Sequence, residues 1–180
     1  MLIGLISDTH IPDRRMKLPQ KVLDAFNDVD LILHAGDITS QSVIDDLKNI
    51  APVHAVEGNM DRVAGELELP PSKIIEAEGH KIGIVHGEVY PRGDTQQLYY
   101  TALELGVDIL VSGHSHVAQL EKIKNVILVN PGSPTTPRLS DPSVAIMEIN
   151  GNNINFEFIK TGSPVCSALN FFKEKANKDE

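Results

Sequence analysis

The sequence predicts an α/β fold, and two observations carry that expectation. Short runs rich in Ile, Leu and Val alternate with longer amphipathic segments in the first half. Turn-bounded strand runs then dominate the second half.

Leu2 to Ser7, Asp30 to Ala35 and Val53 to Glu57 read as buried strands. Between them, Pro19 to Asn27 places Val22, Leu23 and Phe26 on one helical face. Ser40 to Ile50 does the same with Val43, Ile44, Leu47 and Ile50. Lys73 to Ala77 and Lys81 to His86 flank Glu78-Gly79 as an antiparallel hairpin. Asp94 to Leu105 reads as a third helix, capped by Asp94 and stopped at Gly106, followed by a buried strand from Val107 to Ser112. The strands Gln119 to Ile123, Val126 to Val129, Val144 to Ile149 and Asn153 to Ile159 complete the pattern, with Gly151-Asn152 as a turn. The tail from Thr161 reads as a mobile end or short surface helix.

The 180 residues suit one domain spanning 1–180, with 41% hydrophobic and 23% charged residues, a globular composition. A net charge of -9 disfavours extended nucleic-acid binding, and Arg14, Arg15 and Lys17 form only a local basic stretch. No run approaches the roughly 18 apolar residues of a bilayer span, and the first residues lack a basic, secretory-type leader. The single cysteine, Cys166, cannot form an internal disulfide. A cytoplasmic, reducing location is therefore expected. Oligomeric state leaves no mark in the sequence.

The chemistry lies where strands end. Asp8-Thr9-His10 follows the first strand, Gly36-Asp37 the second and Gly58-Asn59-Met60-Asp61 the third. His86-Gly87 and Gly113-His114-Ser115-His116 end two later strands. In open α/β sheets ligands bind at the carboxyl ends of strands, so these groups can converge. Aspartate oxygen and imidazole nitrogen suit Mn, Fe, Co, Ni or Zn, and the absence of cysteine from the motifs argues against a structural thiolate site. Asp8, His10, Asp37, Asn59, His86, His114 and His116 exceed the need of one ion. If Asp37 bridges, each of two ions receives four protein ligands, leaving room for a water between them. Ions about 3.5 to 4 Å apart lower the pKa of such a water enough to form hydroxide near neutrality, and in-line attack on phosphorus is the reaction expected.

In this order, Asp-x-His, Gly-Asp, Gly-Asn-x-Asp, His-Gly and Gly-His-x-His resemble the calcineurin-like metallophosphoesterase superfamily. The likeness covers roughly residues 1–135; Asn130-Pro131-Gly132-Ser133 resembles a segment of its small YfcE-type phosphodiesterase branch. The resemblance implies two facing mixed β-sheets flanked by helices, a four-layer αββα sandwich. It also implies that Asp8, His10, Asp37 and His116 hold one ion and Asp37, Asn59, His86 and His114 the other. A metal-dependent phosphodiesterase acting on a small phosphoester is expected, with Mn²⁺ or Ni²⁺ foremost and Fe, Co or Zn as alternatives.

Two positions depart from the pattern. Met60 stands where many relatives carry a histidine that protonates the leaving oxygen or holds the phosphate, and a thioether does neither. General acid assistance is worth about 10² to 10⁴ in rate, so good leaving groups are favoured. Glu88 stands where relatives commonly show a second histidine. Asp61 either orients a ligand histidine or closes a turn. Arg14 and Arg15 are substrate-phosphate candidates beside a reading as solvated side chains, and Tyr90 and Arg92 could touch substrate. His34 reads as structural, His54 and His80 carry no motif, and Ser115 is no nucleophile where a metal hydroxide is available. The alternative class is a protein-binding scaffold with a vestigial metal site. His10-Ile11-Pro12, Leu18-Pro19, Gly93-Asp94, Asp108-Ile109-Leu110 and Asn130-Pro131-Gly132-Ser133 are similar to the small retromer subunit of this fold. That relative has lost the Gly-Asn asparagine and the Gly-Asp aspartate, both retained here as Asn59 and Asp37.

Overall fold

A computed structural model describes residues 1–163. The elements follow in the order β1 (Leu2–Ile6), α1 (Gln20–Ala25), β2 (Leu31–His34), α2 (Gln41–Lys48), β3 (Val53–Ala55), α3 (Asn59–Ala64), β4 (Ser72–Ala77) and β5 (His80–Val85). Then come α4 (Thr95–Leu105), β6 (Ile109–Val111), β7 (Ala118–Ile123), β8 (Val126–Pro131), β9 (Ser143–Asn150) and β10 (Asn153–Lys160). The expected strands and three expected helices are present with shifted ends. Apart from residues 161–163, the tail, expected to be a mobile end or short surface helix, lies outside the described residues, as does Cys166.

The strands form two five-stranded mixed sheets, ordered β10-β9-β1-β2-β3 and β4-β5-β6-β8-β7. In the first, β1, β2 and β3 run parallel. In the second, β5, β6 and β8 do. Hairpin partners add antiparallel edges: β9 and β10 to the first sheet, β4 and β7 to the second.

Alternation along β1 explains how the layers stack. Ile3 and Leu5 point inward with Leu33, Met147, Ile82, Ile84, Ile109 and Val111, so the two sheets face each other across one dry core. Ile6 and Ile32 point outward to Val22 and Phe26 of the α1 region and Val43, Ile44 and Leu47 of α2. Gly4 has no side chain because a Cβ there would lie 3.0 Å from the Phe26 ring. On the other outer face, Leu98, Tyr99 and Ala102 of α4 cover Val85, Leu110 and Leu128. The result is the four-layer αββα arrangement the resemblance implied.

Helix α3 was not legible in the sequence. Its six residues have no apolar stripe, and Asp61 supplies what periodicity does not, accepting the Gly58 amide at 2.8 Å and so capping the first turn. Elsewhere the local signals hold. Asp94 accepts the Gln97 amide at 2.8 Å as the cap of α4, Gly106 ends that helix at φ 66°, and Glu78 and Gly79 turn the hairpin at φ 50° and 83°.

Candidate metal centre

The parallel trios end side by side. Asp8, Asp37 and Asn59 follow β1, β2 and β3; His86 follows β5, and His114 and His116 follow β6. The His86 imidazole reaches across the sheets, its Nδ1 donating to the Ala35 carbonyl at 2.8 Å. A Cβ on Gly113 would lie 2.8 Å from Asp8 Oδ2 and 3.0 Å from the Ala35 carbonyl, so only glycine allows this approach.

All seven sequence-selected side chains are brought together. One donor atom from each of Asp8, His10, Asp37 and His116 lies within 4.8 Å of the others. This is the group the resemblance assigned to one ion. Around His86 Nε2 stand Asn59 Oδ1 at 3.2 Å, His114 Nδ1 at 3.3 Å and Asp37 Oδ2 at 3.3 Å. The same Asp37 oxygen is 3.5 Å from His10 Nε2, so one carboxylate oxygen belongs to both groups. The other, Oδ1, accepts the Met60 amide at 2.7 Å.

The backbone bends sharply to do this. Asp8, His10, Asp37, His114 and His116 all have left-handed φ, between 45° and 67°. Such conformations cost a non-glycine residue of order 1 kcal/mol each and persist only where surrounding structure imposes them. Here the imposing contacts are visible. Ser133 Oγ and Thr135 Oγ1 donate to the Asp8 carbonyl at 2.7 and 3.1 Å, and Thr135 Oγ1 reaches the Thr9 carbonyl at 2.7 Å. Asn130 Nδ2 holds the Gly113 carbonyl at 2.6 Å, and the Thr136 carbonyl accepts His116 Nδ1.

The donor chemistry suits divalent cations. His86 and His116 spend Nδ1 on backbone carbonyls, so Nε2 is the inward nitrogen of each, a lone pair in neutral His116 and in His86 once its proton is lost. His10 Nε2 is buried without a hydrogen bond. Asp8 and Asp37 are 0% and 2% exposed, a placement that anions tolerate only beside positive charge.

Residues 1–152 match the family model described as the calcineurin-like phosphoesterase superfamily domain. The chain belongs to this superfamily.

The chain is 56% identical over 171 residues to a protein of Methanothermobacter thermautotrophicus named "Probable metallophosphoesterase", covering 95% of this chain and 99% of that one. Among solved structures, Vps29 of Entamoeba histolytica complexed with zinc is 30% identical with a TM-score of 0.74, covering 90% of this chain and all of that one. A structure described as a novel archaeal phosphodiesterase is 25% identical with a TM-score of 0.68, covering 88% of this chain and 100% of that one. The calcineurin-like fold of the chain and its Asp/His cluster thus agree with family membership, and the cluster supports divalent-metal binding.

Burial dominates the electrostatics of this cluster. Burial raises the Asp8 carboxyl to about 7 against the opposing field of His86. Burial lowers His114 and His116 to about 4, aided by His86 at His114 and by His10 and Arg138 at His116. At His86 burial is overcome by the hydrogen bond to Asp37 and the charges of Asp8 and Asp37, and its pKa rises to about 9. At Asp37 burial opposes ionisation, but the hydrogen bond and charge of His86 and the Met60 amide together hold it below the ordinary carboxylate value.

The remaining sequence candidates separate. Asp61 does not touch a ligand histidine: its carboxylate accepts the amides of Asp37, Ile38, Thr39 and Gly58 at 2.7 to 2.9 Å, so it closes and clamps the turn. Glu88 pairs with Arg62, which also reaches Glu57, an exposed link between α3 and the loop after β5. His34 is wholly buried against Thr9, and burial lowers its pKa to about 3, the structural role expected of it. Arg14, Arg15 and Arg92 line the cleft over the centre. Thr135 and Thr136 carry no motif of their own in the sequence, although both lie just after the Asn130-Pro131-Gly132-Ser133 run.

Proposed function

We propose that the chain is a two-metal phosphodiesterase of the cytoplasm, hydrolysing a small phosphoester, with Mn²⁺ or Ni²⁺ as the working ions. The observation that carries this reading is the sharing of Asp37 Oδ2 between His10 Nε2 at 3.5 Å and His86 Nε2 at 3.3 Å. A carboxylate in that position is suited to join two donor groups into one centre. Asp8, His10 and His116 would complete one group; Asn59, His86 and His114 would complete the other. Two divalent ions bound there would supply Lewis-acid activation of water and of the phosphoryl oxygens.

The chain's own residues do the rest. The left-handed turns aim carboxylate and imidazole donors inward at the centre. The Thr136 and Ala35 carbonyls fix two imidazole orientations. Met60 lines the cleft and offers no proton, which favours diesters with good leaving groups. The likeness to the archaeal phosphodiesterase supports a diester over a monoester.

A second reading, a scaffold of the retromer-subunit type, draws on the fold shared with Vps29. The retained Asn59 and Asp37 favour the enzyme. Chelator-stripped protein reloaded with Mn²⁺ or Ni²⁺ is expected to retain about two ions per chain and to cleave bis(p-nitrophenyl) phosphate. Neither ion retention nor turnover with any first-row divalent metal would leave the scaffold.

A further inference from the structure

The cleft over the metal centre, about 970 Å³, is lined by four of the chain's five arginines: Arg14, Arg15, Arg92 and Arg138. None of the eight lysines among the described residues lines it. The chain carries 25 acidic against 16 basic residues, yet among the described residues the only acid of that lining apart from Asp37 is Asp13. Among the described residues none of the four guanidinium groups hydrogen-bonds or pairs with a carboxylate; the fifth arginine, Arg62, is the one taken, by Glu57 and Glu88.

Three separate loops deliver these groups, 7–19, 86–94 and 132–142. Two are tied to the donor backbone: the Arg14 amide donates to the His10 carbonyl at 2.9 Å, and the Arg138 amide to the His116 carbonyl at 3.3 Å. The charges of Arg14, Arg92 and Arg138 are felt at His10, His114 and His116 respectively. Exposed arginines are ordinarily just solvated. Gathering from three loops, exclusion of lysine and lack of carboxylate partners are what distinguish this set. Arginine presents a planar fork that matches phosphate oxygens, where lysine offers a point charge.

The charge exceeds what one phosphodiester needs. A diester carries a single negative charge, and two divalent ions against Asp8 and Asp37 already leave positive charge to meet it. The cleft volume also suits a ligand larger than a bare diester. We propose that the substrate is a small phosphodiester bearing at least one further phosphate group, which the arginines of the three loops hold while the scissile phosphate lies at the Asp/His centre. This rests on the phosphodiesterase reading above and adds to it the identity of the non-reacting part of the substrate.

Binding and turnover test it separately. Calorimetry on Mn²⁺-loaded protein compares thymidine 3′,5′-bisphosphate with thymidine 5′-phosphate. A preference of about tenfold or more for the bisphosphate is expected, as one charge-assisted phosphate site gives, shrinking as salt is raised. Hydrolysis compares the p-nitrophenyl ester of thymidine 5′-phosphate with and without a 3′-phosphate, and the gain in kcat/KM is expected chiefly in KM. The double variants Arg92→Gln/Arg138→Gln and Arg14→Gln/Arg15→Gln, at exposed positions, should retain the wild-type melting temperature. At least one pair should bring the preference close to unity. Equal affinity for the two nucleotides, or a preference that neither pair of substitutions alters, overturns the proposal even if the plain ester is cleaved. A preserved preference without turnover of either ester, with Mn²⁺ or any other first-row divalent metal, supports the second-phosphate site and overturns the hydrolase reading instead.

Discussion

The carboxylates of Asp61 and Asp37 tie the loop after β2 to the start of α3 from both sides. The Asp61 carboxylate accepts the Asp37 amide at 2.9 Å, and the Asp37 carboxylate accepts the amide of Met60, the residue before Asp61, at 2.7 Å. Through this reciprocal pair the loop after β2 and the start of α3 form one unit, and Asp37 Oδ2 is left facing the imidazoles. Asp61 is 1% exposed and accepts four amides, so Asp61→Ala would strand all four buried donors. Unpaired buried donors cost about 1–3 kcal/mol apiece and are not additive, so a loss of about 3 kcal/mol or more is expected. Urea denaturation measures it, and metal retention should fall with it. A change within about 1 kcal/mol would remove Asp61 from this role.

Gly58 is a steric prediction. Its φ of -103° suits any residue, but an added Cβ would stand 2.2 Å from Asp37 Oδ1 and 2.4 Å from the Asp37 amide nitrogen. Gly58→Ala must therefore displace Asp37 and should strip metal from the protein. Gly79→Ala is the control: it is strained at φ 83° but meets nothing within 4 Å. It should cost about 1 kcal/mol and leave metal content unchanged. Metal analysis after gel filtration distinguishes the two.

Asp8→Asn should separate stability from activity. The folded-state pKa of Asp8 is raised from 3.8 to about 7, so its contribution to stability is fully present below the unfolded value and lost as pH rises through about 7. Metal-free Asp8→Asn is therefore expected to be more stable than metal-free wild type at pH 8, by about 1–4 kcal/mol, while losing metal-dependent turnover. Thermal melts with and without chelator check both halves. His86→Ala should also abolish turnover, and a variant keeping full rate would remove its residue from the centre.

Metal binding should release protons. His86, held at about 9, and Asp8, at about 7, must each lose a proton to become donors, whereas His114 and His116, at about 4, are already neutral above pH 5. Apparent affinity for Mn²⁺ should thus rise from pH 6 to pH 9, with roughly two protons released at pH 6 and about one at pH 8. Calorimetry in buffers of differing ionisation enthalpy counts them. A pH-independent affinity over that range would contradict the electrostatic account of Asp8 and His86.

Much of the chain was legible because local signals and long-range structure agree. Alternating Ile3 and Leu5 required a strand with one face in a core, and Val43, Ile44 and Leu47 required a covering helix. Asp94 and Gly106 marked the ends of α4 because caps answer to backbone chemistry within a few residues. The seven donors could be selected because each directly follows a strand or ends one, and strand ends in an α/β sheet share an edge.

What the sequence by itself determined is therefore the inventory: the layers, the strand ends and the polar groups placed on them. Tertiary structure alone decided how those groups are held. Left-handed φ at Asp8, His10, Asp37, His114 and His116 is a minor conformation even for aspartate and histidine, which tolerate it better than most residues; contacts from Ser133, Thr135, Asn130 and Asp61, some of them more than a hundred residues away, hold it in place. Helix α3 exists because Asp61 caps it while clamping the loop of Asp37, a contact no periodicity encodes. The basic stretch at Arg14 and Arg15, local in the sequence, becomes part of the lining of one cleft with Arg92 and Arg138 from two other loops. Charge acts through space, and only folding sets which charges are neighbours.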